Sequence, residues 1–157
     1  MTKVEIQQID RQFERLRLKD KRIEEKLLSQ ILQEGIHEPL GCVFKKDQWI
    51  LVDGFKRLRC CIKLKIHKLK VMNMGQDDAE GLLNVLKKNT RHPLHIIEQA
   101  RIVEYLHQKA SMSVSEIARH LNRSPAWVSV RVGLIAGMSP ILREAVFSGK
   151  IPVRSVM

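Results

Sequence analysis

Apolar and polar residues alternate from Val4 to Ile9, a spacing that predicts a strand. From Asp20 to Glu34 the period lengthens: Ile23, Leu27, Leu28, Ile31 and Leu32 fall on one helical face. Gly35 supplies a C-cap for that helix, and Pro39 forbids its continuation. Leu40 to Phe44 and Trp49 to Val52, separated by Lys45-Lys46-Asp47-Gln48, predict an antiparallel hairpin. Gly54 ends the second strand, Phe55 to Ile62 reads as helix, and His67 to Met72 as a further strand.

Beyond about residue 75 the strand spacing disappears and every segment reads as helix. Asp77 to Lys88 carries Leu82, Leu83, Val85 and Leu86 on one face. A longer helix opens at Pro93 and runs to His107, with Ile96, Ile97, Ala100, Ile102, Val103 and Leu106 facing inward. Two helices at helix-turn-helix spacing follow, then one from Pro140 to Phe147 that stops at Gly149. The final IPVRSVM opens as another helix would.

The stretch from Ser113 to Ile135 has the residues a helix-turn-helix needs. Ala118 is small where two helices cross, and Ile117, Leu121, Val128 and Val132 face the shared core. Asn122 falls at the turn, where a positive φ is required and Asn is the best substitute for Gly. Ser124 can cap the second helix, and Pro125 occupies its first turn, where the missing N–H costs nothing. Ser113, Arg119, Arg123, Ser124, Ala126, Trp127, Ser129 and Arg131 are then the residues placed toward a DNA major groove. A three-helix packing unit that never meets DNA has the same spacing, and the Trp127 ring fits packing at the helix edge as well as it fits a DNA contact.

Composition narrows the class. The 157 residues suffice for one domain or two small ones, and at 44% hydrophobic the chain can build a core. No apolar run approaches the roughly 18 residues of a membrane span, and the N-terminus lacks a signal-peptide core, so the expected location is the cytoplasm. Cys42, Cys60 and Cys61 lack metal-ligand spacing and read as reduced, buried small hydrophobes. A net charge of +11 favours a polyanionic partner without saying which one.

A second candidate site lies where strand, glycine and helix meet in WILVDGFKRLRCCIKL. Lys56, Arg57 and Arg59 occupy the first turns of a helix, where the dipole already attracts anions, and a phosphate on the backbone amides after Gly54 would relieve the conflict. Taken alone, this turn is as well explained by a solvated basic patch.

The joint order of these segments resembles the ParB partition-protein family, from about Val4 to Val153. The residues that carry the likeness are Gly35-Ile36-His37-Glu38-Pro39-Leu40, Val52-Asp53-Gly54-Phe55-Lys56-Arg57-Leu58-Arg59, Asn89-Thr90-Arg91 leading into Ile97-Glu98-Gln99-Ala100, and the helix-turn-helix. The resemblance implies an α+β chain: a small mixed-sheet, sulfiredoxin-like, CTP-binding domain over residues 1–90, followed by an all-α helix-turn-helix domain over 91–157. It implies that Gly35, Ile36, His37, Glu38 and Pro39 border the nucleotide. Gly54, Phe55, Lys56, Arg57 and Arg59 would hold the phosphates, and Lys88, Asn89 and Arg91 would form the third nucleotide motif. It further implies a homodimer that recognises a site on double-stranded DNA and uses CTP to close as a clamp, with nucleoid or plasmid association and a partition ATPase as a further partner.

The chain departs from the family where the second motif usually reads G-E-R-R-x-R, since Phe55 and Lys56 replace the Glu and the first Arg. Lys88 stands where the third motif usually has a metal-associated Glu; lysine cannot coordinate Mg²⁺ but can pair with a phosphate. The expected enzymology is therefore at most a weak CTPase, with no catalytic residue and no protein metal ligand assigned. Family members also continue into a C-terminal dimerisation domain, so either this sequence is a piece of a longer protein or self-association rests on the first two domains. Two alternatives stay open: a transcriptional regulator that binds no nucleotide, and a phosphotransferase or nuclease on the same fold, for which Asp53, Glu38 and Asp77-Asp78 are the available carboxylates.

Overall fold

A computed structural model describes residues 1–88 and 94–155. The architecture is mixed α+β, with a five-stranded mixed sheet in the order β1-β5-β3-β4-β2. Its strands are β1 (Thr2–Glu5), β2 (Ile9–Asp10), β3 (Leu40–Lys45), β4 (Gln48–Asp53) and β5 (Lys68–Asn73). The helices are α1 (Lys21–Glu34), α2 (Phe55–Lys63), α3 (Asp78–Lys87), α4 (Ile96–Gln108), α5 (Val114–Leu121), α6 (Pro125–Ala136) and α7 (Pro140–Phe147). The chain packs as two units, one of Met1–Arg15 with Lys19–Gly81 and one of Leu16–Leu18 with Leu82–Met157.

In the first unit the strand expected from Val4 to Ile9 is broken. Ile6–Gln8 form a 3-10 turn, and the two halves go to opposite edges of the sheet: β1 pairs antiparallel with β5, β2 parallel with β4. Val4 and Ile9 are both buried but differ in parity, so one regular strand would turn them to opposite faces, and the 3-10 turn between them resets the phase. The hairpin of β3 and β4 is present, but its turn is only Lys46-Asp47, both at positive φ (51° and 58°), as a type I′ connection demands. Phe44 and Trp49 face each other across that hairpin with ring centroids 4.7 Å apart.

Asp20 caps α1, its carboxylate accepting from the N–H groups of Arg22 and Ile23. The helix buries less of its apolar face than its spacing suggests: Ile31 is inside, Leu27 and Leu28 are half-buried, and Ile23 and Leu32, on the flanks of the stripe, are exposed. Gly81 in α3 lies against Val43 of β3, a contact a Cβ would obstruct.

The second unit is helical. Leu18, Ile97, Ala100, Ile135, Val146 and Phe147 form its core cluster. Helix α4 begins at Ile96 behind His95, whose Nδ1 accepts from the Ile97 N–H while the Glu98 carboxylate accepts from the His95 N–H. Pro93, the expected start, lies outside the described residues. Glu98 is itself buried, accepting from Arg17 Nε at 2.8 Å and from the Leu18 N–H at 3.2 Å. Past the C-terminus of α6, Arg143 donates to the carbonyls of Ile135 and Met138, adding to the backbone bond the Met138 N–H makes to Ile135. The segment expected to open a last helix makes a 3-10 turn at Val153–Ser155. Among the described residues no single helix is long and apolar enough to cross a membrane.

Candidate phosphate loop and nucleic-acid interface

The first unit brings two of the expected nucleotide segments together. Gly54, at φ 105°, precedes α2; no side chain caps that helix, and no acidic residue stands in its first turn. A Cβ on Gly54 would sit 2.6 Å from Leu40 Cδ2, so the position demands glycine twice over, for its backbone angle and for space. Arg57 reaches from the first turn of α2 to the Gly35–Pro39 loop, donating from Nη1 to the Glu38 carbonyl at 2.9 Å and the Pro39 carbonyl at 3.1 Å. Its Nη2 lies 4.0 Å from Asp53 Oδ2. Arg57 is thus a strut between the two segments, with one face of its guanidinium already engaged.

The other expected phosphate ligands are placed differently. Phe55 is 2% exposed and belongs to the core, leaving only its backbone N–H for a ligand. Lys56 is half-buried and has a partner of its own. Arg59 turns to α1, where it pairs with Glu24, and its Nη1 is 3.7 Å from Glu14. Two carboxylates therefore offset the charge that the spacing assigned to a phosphate. Gly35 is the C-cap of α1 at φ 77°, its N–H donating to the Ile31 carbonyl. Ile36 is half-buried, Glu38 is exposed, and the exposed His37 lies 3.8 Å from Glu34. Lys88 follows α3 in the second unit, its N–H donating to the Asn84 carbonyl; Asn89 and Arg91 lie outside the described residues.

Backbone amides at an uncapped helix start behind a glycine in the left-handed region fit a phosphate. The residues do not fit Mg²⁺ in the same way. Asp53 faces Arg57, and among the described residues no three His, Cys, Asp or Glu side chains converge as ligands. Burial disfavours the thiolates, pushing the Cys42 thiol up to about 12 and that of Cys61 to about 11. Burial and, secondarily, the Glu24 carboxylate raise Cys60 as well.

The second unit presents α5 and α6 with a three-residue turn between them. Ser113 and Glu116 cap α5 reciprocally, a Ser-x-x-Glu signature readable in the sequence but absent from the expectations above. Ile117 and Ala118 are buried, Asn122 holds the left-handed conformation at φ 53°, and the Ser124 Oγ accepts from the Trp127 N–H at 3.2 Å. Ser113, Arg119, Arg123, Ser124, Ala126 and Ser129 are exposed. Trp127 is half-buried between two arginines, with Arg123 at 5.3 Å and Arg131 at 3.6 Å from its ring centroid. Arg131 is held further by Gln99 Oε1 on α4 at 3.0 Å and by the Trp127 carbonyl at 3.1 Å. Burial and the neighbouring Arg123 charge lower its pKa. Gln99 is the member of this cluster that sequence reasoning missed, being 32 residues from Arg131 with no periodic signal to join them.

The fold is that of ParB N-terminal regions. The chain is similar to the C-terminally truncated chromosome-partitioning protein ParB from Caulobacter crescentus complexed to the centromeric parS site, at 17% identity and a TM-score of 0.53 over 99% of this chain and 82% of that one. It is similar to a Pnob8-like ParB-N domain at 15% identity and a TM-score of 0.60 over 99% and 76%. A structure of the truncated Caulobacter protein with CTP-γ-S aligns at 19% identity and a TM-score of 0.49 over 99% and 88%. No protein-family model and no curated protein matches the chain.

Proposed function

We propose that this protein binds double-stranded DNA through α5 and α6 acting as a helix-turn-helix, within a domain spanning residues 91–157. The observation that carries the reading is the exposed start of α6. Arg123, Ser124, Ala126 and Ser129 stand free of the core there, no acidic residue occupies the first turn, and the chain as a whole carries +11. A helix N-terminus with cationic and hydroxyl side chains suits a phosphate backbone and the base edges beside it. The parS complex of the Caulobacter protein supports the same reading.

Residues 1–90 form the responsive half in this proposal. The amides following Gly54 hold the phosphates of CTP, Lys56 adds a point charge, and Arg57 links the phosphate loop to Gly35–Pro39. Nucleotide binding at that junction biases a homodimer toward a clamp closed on DNA, in the cytoplasm on nucleoid or plasmid. Hydrolysis has no assigned residue. The test is to sequence the DNA fragments the protein retains with and without CTP. One enriched motif, with retention altered by CTP, supports both halves; an enriched motif with no CTP effect leaves a DNA reader without a nucleotide switch; no enrichment refutes sequence-specific binding.

The nucleotide-free regulator is favoured by one observation, the pairing of Arg59 with Glu24 and Glu14. Calorimetry with CTP, ATP, GTP and UTP separates the two. Heat from CTP that disappears in Lys56→Ala/Arg57→Ala supports the phosphate loop, whereas silence from all four with DNA affinity intact supports the regulator.

A further inference from the structure

Lysines gather at one edge of the sheet. Strands β1 and β5 run antiparallel there, setting Lys3 directly opposite Lys70 and Glu5 directly opposite Lys68. Opposed residues share a face, with Cβ atoms about 4.5–5.5 Å apart. Val4, Leu69 and Val71 take the inner face, so Lys3, Lys68 and Lys70 share the outer one, and all three are exposed. They line a cavity of about 170 Å³ together with Ile36, His37 and Glu38. None of Gly54, Lys56 and Arg57 contributes to it.

The charges in this cavity are unbalanced. Like charges directly opposite each other destabilise a strand pair. Glu5 lies opposite Lys68 and diagonal to Lys70, but the residue directly opposite Lys3 carries a like charge, and Glu38 is the only carboxylate among the lining residues. A single lysine would protect a sheet edge from pairing with another chain, so edge protection does not require two face to face. An anion between them turns the repulsion into two attractions. Ammonium groups are rotatable point charges without the planar fork that matches a carboxylate, and a tetrahedral oxyanion accepts from both.

We propose that Lys3 and Lys70, assisted by Lys68 and His37, hold a phosphate group in this cavity. The group is either a phosphodiester of DNA or a free phosphate or pyrophosphate; the site shares Ile36, His37 and Glu38 with the loop assigned to the nucleotide, but not Gly54, Lys56 or Arg57. Amide NMR shifts of the full chain, titrated with pyrophosphate at matched ionic strength, test the free ligand. Saturable shifts are expected at Lys3, Leu69 and Lys70, and these are lost in Lys3→Gln/Lys70→Gln and in Lys3→Thr/Lys70→Thr while Lys26→Gln retains them. For DNA, the slope of log affinity against log salt on a scrambled duplex falls by about 1 in the double variants. Loss of the shifts with an unchanged slope assigns the site to free phosphate, and a reduced slope assigns it to the DNA backbone. Unmoved amides together with an unchanged slope, or shifts that persist in both double variants, overturn the proposal. So does a lower melting temperature of both variants in chloride, which would contradict the repulsion it rests on.

Discussion

The guanidinium of Arg131 lies 3.6 Å from the centroid of the Trp127 ring, and its Nη1 donates to the carbonyl of the same tryptophan at 3.1 Å. Gln99 fixes the remaining edge. Spacing alone placed Arg123 and Arg131 equally toward DNA, whereas the structure makes them unequal: Arg131 is anchored in the second unit, and Arg123 is exposed, 5.3 Å from the ring centroid.

Arg123→Ala is therefore expected to weaken DNA binding with little change in melting temperature. If Arg123 reads a base, the loss is about 1–3 kcal/mol and specificity relaxes at one position; if it meets a phosphate, all sequences weaken alike. Arg131→Ala is expected to lower thermal stability as well, by about 1–2 kcal/mol, since it removes a partly desolvated cation–π contact and leaves Gln99 without its donor. Fluorescence anisotropy and thermal melts on both variants check this. Equal melting temperatures would place Arg131 among the groups that act on DNA alone.

Much of the helical half was legible because its signals are local. Asn122 in the left-handed turn, Ser124 at the cap and Pro125 in the first turn each act within a few residues, and α5 ends and α6 begins where those residues stand. Long-range pairings carry no period. Arg57 with the Glu38 and Pro39 carbonyls, Arg59 with Glu24 and Arg131 with Gln99 each join residues 18 to 35 apart, so the spacing gave charge without its destination. The break in the first strand is marked by Gln7-Gln8, where two polar residues in succession interrupt the alternation.

Gly54→Ala tests the phosphate loop at its narrowest point. A Cβ there meets Leu40 and also requires a φ that L-residues adopt only at a cost of roughly 1–2 kcal/mol. The variant is expected to lose at least that much stability, measured by urea denaturation, and to lose CTP binding by calorimetry. Arg57→Lys keeps the charge but cannot span both carbonyls, so it should weaken CTP binding while leaving most of the stability.

Glu98 makes a separate prediction. Its buried carboxylate accepts from Arg17, the Leu18 N–H and the His95 N–H, so Glu98→Ala strands two backbone donors and a cation at once. A loss of about 3–5 kcal/mol is expected. Glu98→Gln, which retains an acceptor oxygen, should lose less. Denaturation midpoints that matched wild type in both variants would contradict the central place given to this side chain.

The buried thiols are expected to cost stability at alkaline pH. Burial raises Cys42 to about 12 and Cys61 to about 11, against an ordinary value near 9, while the unfolded chain ionises at the ordinary value. A group whose folded-state pKa is raised contributes stability that is intact below its unfolded pKa and declines as pH climbs toward the folded one. Melting temperature should therefore show no thiol-dependent change below about pH 8.5 and fall from roughly pH 9 toward the folded values of about 11 and about 12. Cys42→Ala/Cys61→Ala, though less stable at pH 7 because it leaves cavities, should show a shallower fall across that window. At pH 8 a thiol reagent should label Cys42 and Cys61 only at the rate at which the first unit opens, and that rate should rise with urea. Rapid labelling of the native chain at pH 8 would show that these thiols ionise, and are reached, without unfolding.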